Sequence, residues 1–274
     1  MRLVDSHGHV NADRFADDVD EVLAAAREAG VERLLVPGWN VASSERAVDL
    51  VERHPWLHAS VGVHPHDAAK VDDAGWARIV ELADEPVVVA IGETGLDYDR
   101  AFSPVDAQLA NLRRNLALAV ATGKPAILHC RSAPGRRDAQ DTLVDELRSV
   151  LSPPGAREAF AARPPAVLHS FSGPVDYAEA MVDLGLAVSF SGLVFRAGEE
   201  ASSDVVRLVP SERLLVETDA PFLSPPGAPR SRNEPRWVAI TAAWVAERRA
   251  EPAERVGEAL VDAYCRTFGG PVAE

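Results

Sequence analysis

The sequence predicts an α/β chain folded as a single (β/α)8 TIM barrel that occupies residues 1–274. Two observations carry that expectation. Short β-branched or aliphatic runs alternate with longer segments whose apolar residues keep helical spacing, the pattern of repeated β–α units. There are eight such runs, and their C-terminal ends recur roughly every 30 residues, one β–α unit each, so that together they fill a barrel of about 250 residues and leave no room for a second domain.

In order, the predicted strands are Arg2–Asp5, Arg33–Val36, His58–Val63, Val87–Gly92, Ala126–His129, Ala166–His169, Ala187–Phe190 and Leu214–Thr218. Between the first two, Phe15, Val19, Val22, Leu23 and Ala26 make one amphipathic stripe, and Gly30 stands where a helix stop belongs. Leu109, Leu112, Leu116 and Val120 repeat the pattern after the fourth strand, and Gly123 ends it. A further helix is expected at Asp141–Val150, followed by SPPGAREAFAARPP as an irregular connection. PFLSPPGAPRSRNEP follows the last strand, on the face where barrel loops build sites, and is read as functional. An open doubly wound sheet is the alternative, because periodicity does not see closure.

Composition narrows the function classes. A net charge of −14 argues against broad electrostatic capture of nucleic acid or anionic membrane, so any phosphate contact must be local. Cys130 and Cys265 are too few for a disulfide framework or a zinc cluster and fit a reducing compartment. The N-terminal MRLVDSHGHVNAD lacks the apolar core of a signal peptide, and no apolar run approaches the roughly 18 residues of a membrane span. The expected location is the cytoplasm, with no membrane and no obligatory protein partner.

His7, His9, His64, His129 and His169 all fall at the C-terminal ends of predicted strands, with Glu93 and Asp219 at the same level. His7 and His9 are two apart on an extended segment, so alternation sends both imidazoles to one face. An HxH pair alone is a weak signal. The company strengthens it: Glu93, in VVVAIGETGLDY, is costly to bury unless paired or bound to metal, and its two oxygens are able to bridge two cations. Imidazoles with carboxylates at one rim suit zinc, manganese, iron or nickel better than calcium.

The motifs HGHV, GVHPHD, IGETGLDY, ILHCR, LHSFSG, SFSG and ETDAPFL…RNEP, in that order from about Val4 to Arg236, resemble those of the TatD family of metal-dependent nucleases, which are amidohydrolase-like barrels. The resemblance implies a metal site at the C-terminal ends of the strands that holds two divalent ions, expected to be Zn, Mn or Mg. Carried over residue by residue, it gives His7, His9, Glu93 and Asp219 to one ion and Glu93, His129 and His169 to the other. It places His64 beside the phosphate with a catalytic role; from the ligand arrangement itself, Glu93 joins it as a catalytic candidate and Asp219, a ligand to one ion, is the candidate proton acceptor. The implied substrate is a DNA end or a short oligonucleotide. Two departures bear on the substrate: Ser231 replaces a glycine in PRSRNEP, and SGLVFRAGEE replaces the familiar SGxxTFKNA.

Other residues carry weaker expectations. Trp39 is placed to stack on a base, and Arg131, Arg230 and Arg232 to clamp phosphate. Glu217 shares the last strand's face with Asp219 and is a candidate to orient a ligand. His66 is expected just behind His64, whereas His54 and His58 lie at the opposite end and are given no function. Two readings compete with the nuclease. Hydrolysis of a small amide, ester or lactone fits the same barrel, but such enzymes often use a carboxylated lysine bridge, and Lys124 sits at the wrong end of its strand. A metal-holding scaffold without turnover is the third.

Overall fold

The aliphatic runs form eight parallel strands: β1 (Leu3–Asp5), β2 (Val31–Pro37), β3 (Leu57–Val61), β4 (Val88–Asp97), β5 (Ala126–Arg131), β6 (Ala166–Leu168), β7 (Ala187–Phe190) and β8 (Leu214–Val216). They belong to a computed structural model that describes residues 1–269. The strands neighbour one another in chain order. The ring closes between β1 and β8, where the Ser6 N–H donates to Val216 O at 3.0 Å and the Asp219 N–H to His7 O at 2.9 Å. Closure settles the choice between barrel and open sheet.

Leu34, Leu35 and Val36 on β2 are all fully buried, as are Ala126, Ile127 and Leu128 on β5. Continuous burial is what a parallel strand shows when side chains fill the barrel on one face and helices cover the other. Each such Leu or Ile stabilises the fold by about 1.5–3 kcal/mol.

The outer helices are α1 (Val19–Glu28), α2 (Val41–Arg53), α3 (Asp73–Ala83), α4 (Val105–Thr122), α5 (Asp138–Leu151), α6 (Pro154–Ala159), α7 (Val175–Asp183), α8 (Ser202–Leu208), α9 (Val238–Arg249) and α10 (Ala253–Phe268). Val22, Leu23 and Ala26 form the buried stripe of α1, while Phe15 is buried from a separate 3-10 turn, Asp13–Phe15. Gly123 caps α4, the helix end expected there, and does so in the left-handed conformation. Among the described residues no helix is long and apolar enough to cross a membrane.

Two segments depart from the sequence reading. The connection SPPGAREAF contains α6, started by a proline in its first turn, where the missing N–H costs nothing. More consequentially, β4 continues five residues beyond its expected end at Gly92, as far as Asp97. Gly92 and Gly95, both at positive φ, lie against β5: a Cβ there would stand 2.6 Å from Ile127 O and 1.9 Å from His129 O respectively. These glycines permit close strand approach instead of ending the strand. Glu93, Gly95 and Asp97 consequently alternate onto one face, which carries Asp97 into the mouth of the barrel.

Candidate metal centre

The chain leaves β1 through Asp5, whose buried carboxylate ties that end to the end of β8. Its Oδ1 accepts from the backbone N–H of Thr218 at 3.0 Å and of His7 at 3.2 Å, and its Oδ2 accepts from the Thr218 hydroxyl at 2.6 Å. Burial pushes the Asp5 carboxyl up to about 8, against the pull of those hydrogen bonds. Just beyond this knot His7 and His9 face inward, their Nε2 atoms 3.1 Å apart.

Glu93 sits at the centre, 3% exposed, with a separate company for each of its oxygens. Oε2 lies 3.4 Å from His7 Nε2 and 3.5 Å from His9 Nε2. Oε1 lies 3.0 Å from His169 Nε2, 3.3 Å from His64 Nε2 and 3.4 Å from His129 Nδ1. Asp219 joins the Oε2 side, its Oδ1 3.3 Å from His9 Nε2 and 3.9 Å from His7 Nε2. Burial alone would raise the Glu93 carboxyl, but the imidazoles of His64, His169 and His129 outweigh it and hold it well below the ordinary range. His9 and its neighbours likewise hold Asp219 ionised against burial.

Which ring nitrogen has a free lone pair follows from what the other one does. His169 Nδ1 lies 3.1 Å from Glu217 Oε1, and a carboxylate accepts, so the proton belongs on Nδ1 and the Nε2 lone pair faces Glu93. His129 reverses the nitrogens: Nε2 donates to Asp97 Oδ2 at 3.2 Å, leaving Nδ1 open toward Glu93. His64 differs in kind. Its Nδ1 accepts the backbone N–H of His66 at 3.1 Å, so neutral His64 carries its proton on Nε2 and presents a donor to the site. Burial pushes its imidazole down to about 4, which favours that neutral form.

Asp97 serves two rings at once, since Oδ2 also accepts from His66 Nε2 at 2.8 Å. Burial would raise it, yet His129, His66 and the Arg100 N–H hold it below the usual carboxylate range. Arg131 lies 3.7 Å from the same oxygen.

The donor set fits a divalent cation. His7 Nδ1, His169 Nε2 and Glu217 Oε2 are buried without hydrogen-bond partners, a costly state in a site that holds only protein. Ring nitrogens and carboxylate oxygens converge in three overlapping groups: His7, His169 and Asp219; His7, His9 and Glu93; His64, Glu93 and His129, the last with His64 as a proton donor. Within each group the ligand atoms lie within 4.8 Å of one another. Without a cation, Glu93 and Glu217 hold a proton on His169 well above the ordinary imidazole range although burial opposes it. A cation would take that proton's place.

Residues 4–269 match the sequence profile of the family described as TatD related DNase. The chain belongs to that family. The metal-dependent hydrolase YabD of Bacillus subtilis is 34% identical over 266 residues, 97% of this chain and 98% of its own length. The 3'-5' ssDNA/RNA exonuclease TatD of Klebsiella pneumoniae is 38% identical over 268 residues, 96% of this chain and 95% of that protein. The crystal structure of YJJV, a TatD homolog from Escherichia coli K12, superposes with a TM-score of 0.85 at 30% identity, covering 98% of this chain and 99% of that one. As a TatD-family chain this protein is a metal-dependent hydrolase with histidine, glutamate and aspartate groups able to take up a cation.

All six residues expected to ligate metal, and His64, meet at the mouth of this TatD-family barrel. The residues expected to touch substrate are more dispersed. Trp39 packs edge-on against His9, ring centroids 5.1 Å apart, with Arg46 over its face at 5.8 Å. Arg232 is held by Asp18 in a two-pronged pair at 2.7 and 2.8 Å and by Glu234 at 3.1 Å, above the ring of Phe15. Arg230 is exposed on the loop after β8. His54 caps α2 and reaches Asp20, and His58 packs on Tyr264 at the far end of the barrel. Lys124 donates to Ala83 O at that same far end. The sequence reading missed Asp5 and Asp97. The alternation of Glu93, Gly95 and Asp97 was the available signal for the second, obscured by taking Gly92 as a strand end.

Proposed function

We propose that this chain hydrolyses phosphodiesters at the end of a single nucleic acid strand, with two divalent ions bound at the barrel mouth. The observation that carries the reading is the division of Glu93 between two sets of imidazoles. One ion would be held by His7, His9, Asp219 and Glu93 Oε2, the other by His129, His169 and Glu93 Oε1. When bound, such ions stabilise charge on a phosphoryl group under attack and lower the pKa of water. The imidazole and carboxylate donors favour zinc or manganese, with magnesium as a further candidate. The exonuclease activity named for the Klebsiella relative supports a strand end, DNA or RNA, as the substrate.

The chain's own groups divide the remaining work. Asp219, ionised and turned in by a left-handed backbone at φ 53°, is placed to accept the proton of the attacking water. His64, donating from Nε2, is placed to bind a phosphate oxygen, a role its tautomer supports better than metal ligation. Asp97 and Glu217 fix the rings of His129 and His169. Trp39 and Arg131 line the entrance, whereas Arg232, engaged by Asp18 and Glu234, holds the loop after β8 in place. Residues 1–274 would act as one domain, and the two free cysteines support a reducing, cytoplasmic setting.

The test is removal and return of metal. Chelated protein should stay folded, because the barrel has its own core, and should release no nucleotides from a single-stranded oligonucleotide. Activity should return with manganese, zinc or magnesium as bound metal approaches two ions per chain. Full turnover in metal-free protein, or hydrolysis of amides or lactones with none of oligonucleotides, would defeat the reading.

A further inference from the structure

Among the described residues only two aromatic side chains are exposed, Phe102 at 64% and Phe222 at 53%. Both stand at the barrel mouth. Phe222 lies in the loop after β8, its ring centroid 6.0 Å from that of His9. Phe102 lies in the loop after β4, 4.7 Å from His66. Strands β4 and β8 are four places apart in a ring of eight, so the two loops face each other across the mouth. Between them the imidazoles form a continuous run: His66 to His64 at 4.3 Å, His64 to His129 at 4.7 Å, His129 to His169 at 5.7 Å, His169 to His7 at 4.1 Å and His7 to His9 at 4.7 Å. A phenylalanine caps each end of that run.

The backbone beside each ring is held. Ala101, just before Phe102, and Leu223, just after Phe222, adopt φ of 47° and 48°, a region unfavourable to residues with a Cβ. Ser103 is buried and pinned: its hydroxyl donates to His66 O at 3.1 Å and accepts from the Ala69 N–H at 3.2 Å, while its carbonyl accepts from Gln108 Nε2 at 2.8 Å. On the other side Gly192 seats the Phe222 turn, for a Cβ there would lie 1.8 Å from Leu223 O. Two apolar rings thus stand in water, on backbone whose neighbouring residues are held, at the two flanks of the hydrolytic centre. An exposed ring on constrained backbone is a stacking surface prepared in advance.

We propose that Phe102 and Phe222 are the base platforms of this site, one for the nucleobase on each side of the phosphodiester that is cut. The proposal rests on the nuclease reading and deepens it: the substrate is a strand end with unpaired bases, gripped by face contact that does not depend on base identity. Stacking of this kind also suits an acidic protein, because it needs no basic groove.

The experiment uses the metal-loaded enzyme, Phe102→Leu, Phe222→Leu and the matching tryptophan variants. Substrates are single-stranded oligodeoxynucleotides in which the terminal base, the penultimate base or both are removed by abasic replacement. Each leucine variant should lose about five- to 100-fold in kcat/KM on the intact strand, chiefly through KM. Removing one particular base should cost the wild type the same factor and cost the corresponding variant nothing more, and tryptophan should restore most of the loss. Exposure of both rings keeps the variants folded, which thermal melting checks. Equal losses on intact and abasic strands, or a wild type indifferent to base removal, would overturn the platforms and leave the nuclease standing. A wild type that cuts no oligonucleotide of any kind would overturn both.

Discussion

Strand β3 has a histidine near either end, half-buried His58 and buried His64. His58 lies near its start, where Tyr264 approaches its Nδ1 at 3.2 Å. His64 follows its C-terminal end, 3.3 Å from Glu93. Burial pushes both imidazoles down to about 4. The resemblance ends with their surroundings. His58 packs on the ring of Tyr264, among the side chains that close the bottom of the barrel. His64 stands among His66, His129 and Glu93, in a mouth where His7 Nδ1, His169 Nε2 and Glu217 Oε2 are buried without hydrogen-bond partners. The same desolvation therefore consolidates a core at one end and prepares a donor at the other. A displaced pKa marks burial; convergence of several unsatisfied groups marks a site.

The largest effect that sharpens this contrast is expected at Glu93. Glu93→Ala removes the oxygen facing each set of imidazoles, so activity should fall by more than the factor of about 100 that bounds an orienting carboxylate. Bound metal, measured by elemental analysis, should fall at both positions. Two full ions in this variant would contradict the shared carboxylate. Next come the carboxylates behind the rings. Asp97→Asn and Glu217→Gln should each cost about 10- to 100-fold in metal affinity or activity, because His129 and His169 lose the acceptor that fixes their tautomer. Affinity for one ion should suffer more than for the other, since both rings face the same oxygen of Glu93. Equal weakening of the two ions would remove that division.

At the bottom of the barrel the effect should appear in stability alone. The unfolded imidazole titrates near 6.5 and His58 in the folded chain near 4, so below pH 6.5 the unfolded chain binds a proton that the folded one refuses. Stability is then lost as pH falls from about 6.5 toward 4, by on the order of 2 kcal/mol at pH 5. Urea titrations of wild type and His58→Gln at pH 7 and pH 5 measure it. The variant should show a smaller drop between the two pH values, with activity at pH 7 unchanged. An identical acid drop in both proteins would show that His58 is not the group responsible.

Much of this contrast was legible in the sequence. The eight strands and the seven residues His7, His9, His64, Glu93, His129, His169 and Asp219 followed from apolar runs and from polar residues at their ends, because a parallel barrel repeats one local pattern. What escaped was set by tertiary approach. Gly92 and Gly95 look like strand breakers in one dimension; only the nearness of β5 shows that they let β4 run on and deliver Asp97. Asp5 reads as the polar end of a strand until Thr218, distant in sequence, closes on it. Phe102 and Phe222 look like core residues in composition, and only their exposure sets them apart.

The smallest expected effect concerns salt, and it compares the mouth with the outer surface. The chain carries a net charge of −14, and its arginines near the mouth are largely engaged: Arg232 with Asp18, Arg136 with Asp138, Arg137 with Asp141 and Asp176. Few are left to neutralise phosphates away from the centre. Log affinity for a single strand falls with log salt by about 0.7 for each phosphate neutralised. Contact limited to the one or two phosphates at the ions should give a slope of about one to two, unchanged once the strand exceeds a few nucleotides. Catalytic efficiency across a salt series, on strands of increasing length with metal saturating, measures the slope. A steep slope that grows with length would mean that the acidic surface gathers the strand after all, through cations that the ion pairs now occupy. A shallow one would confine recognition to the metals and to stacking, which salt screens weakly.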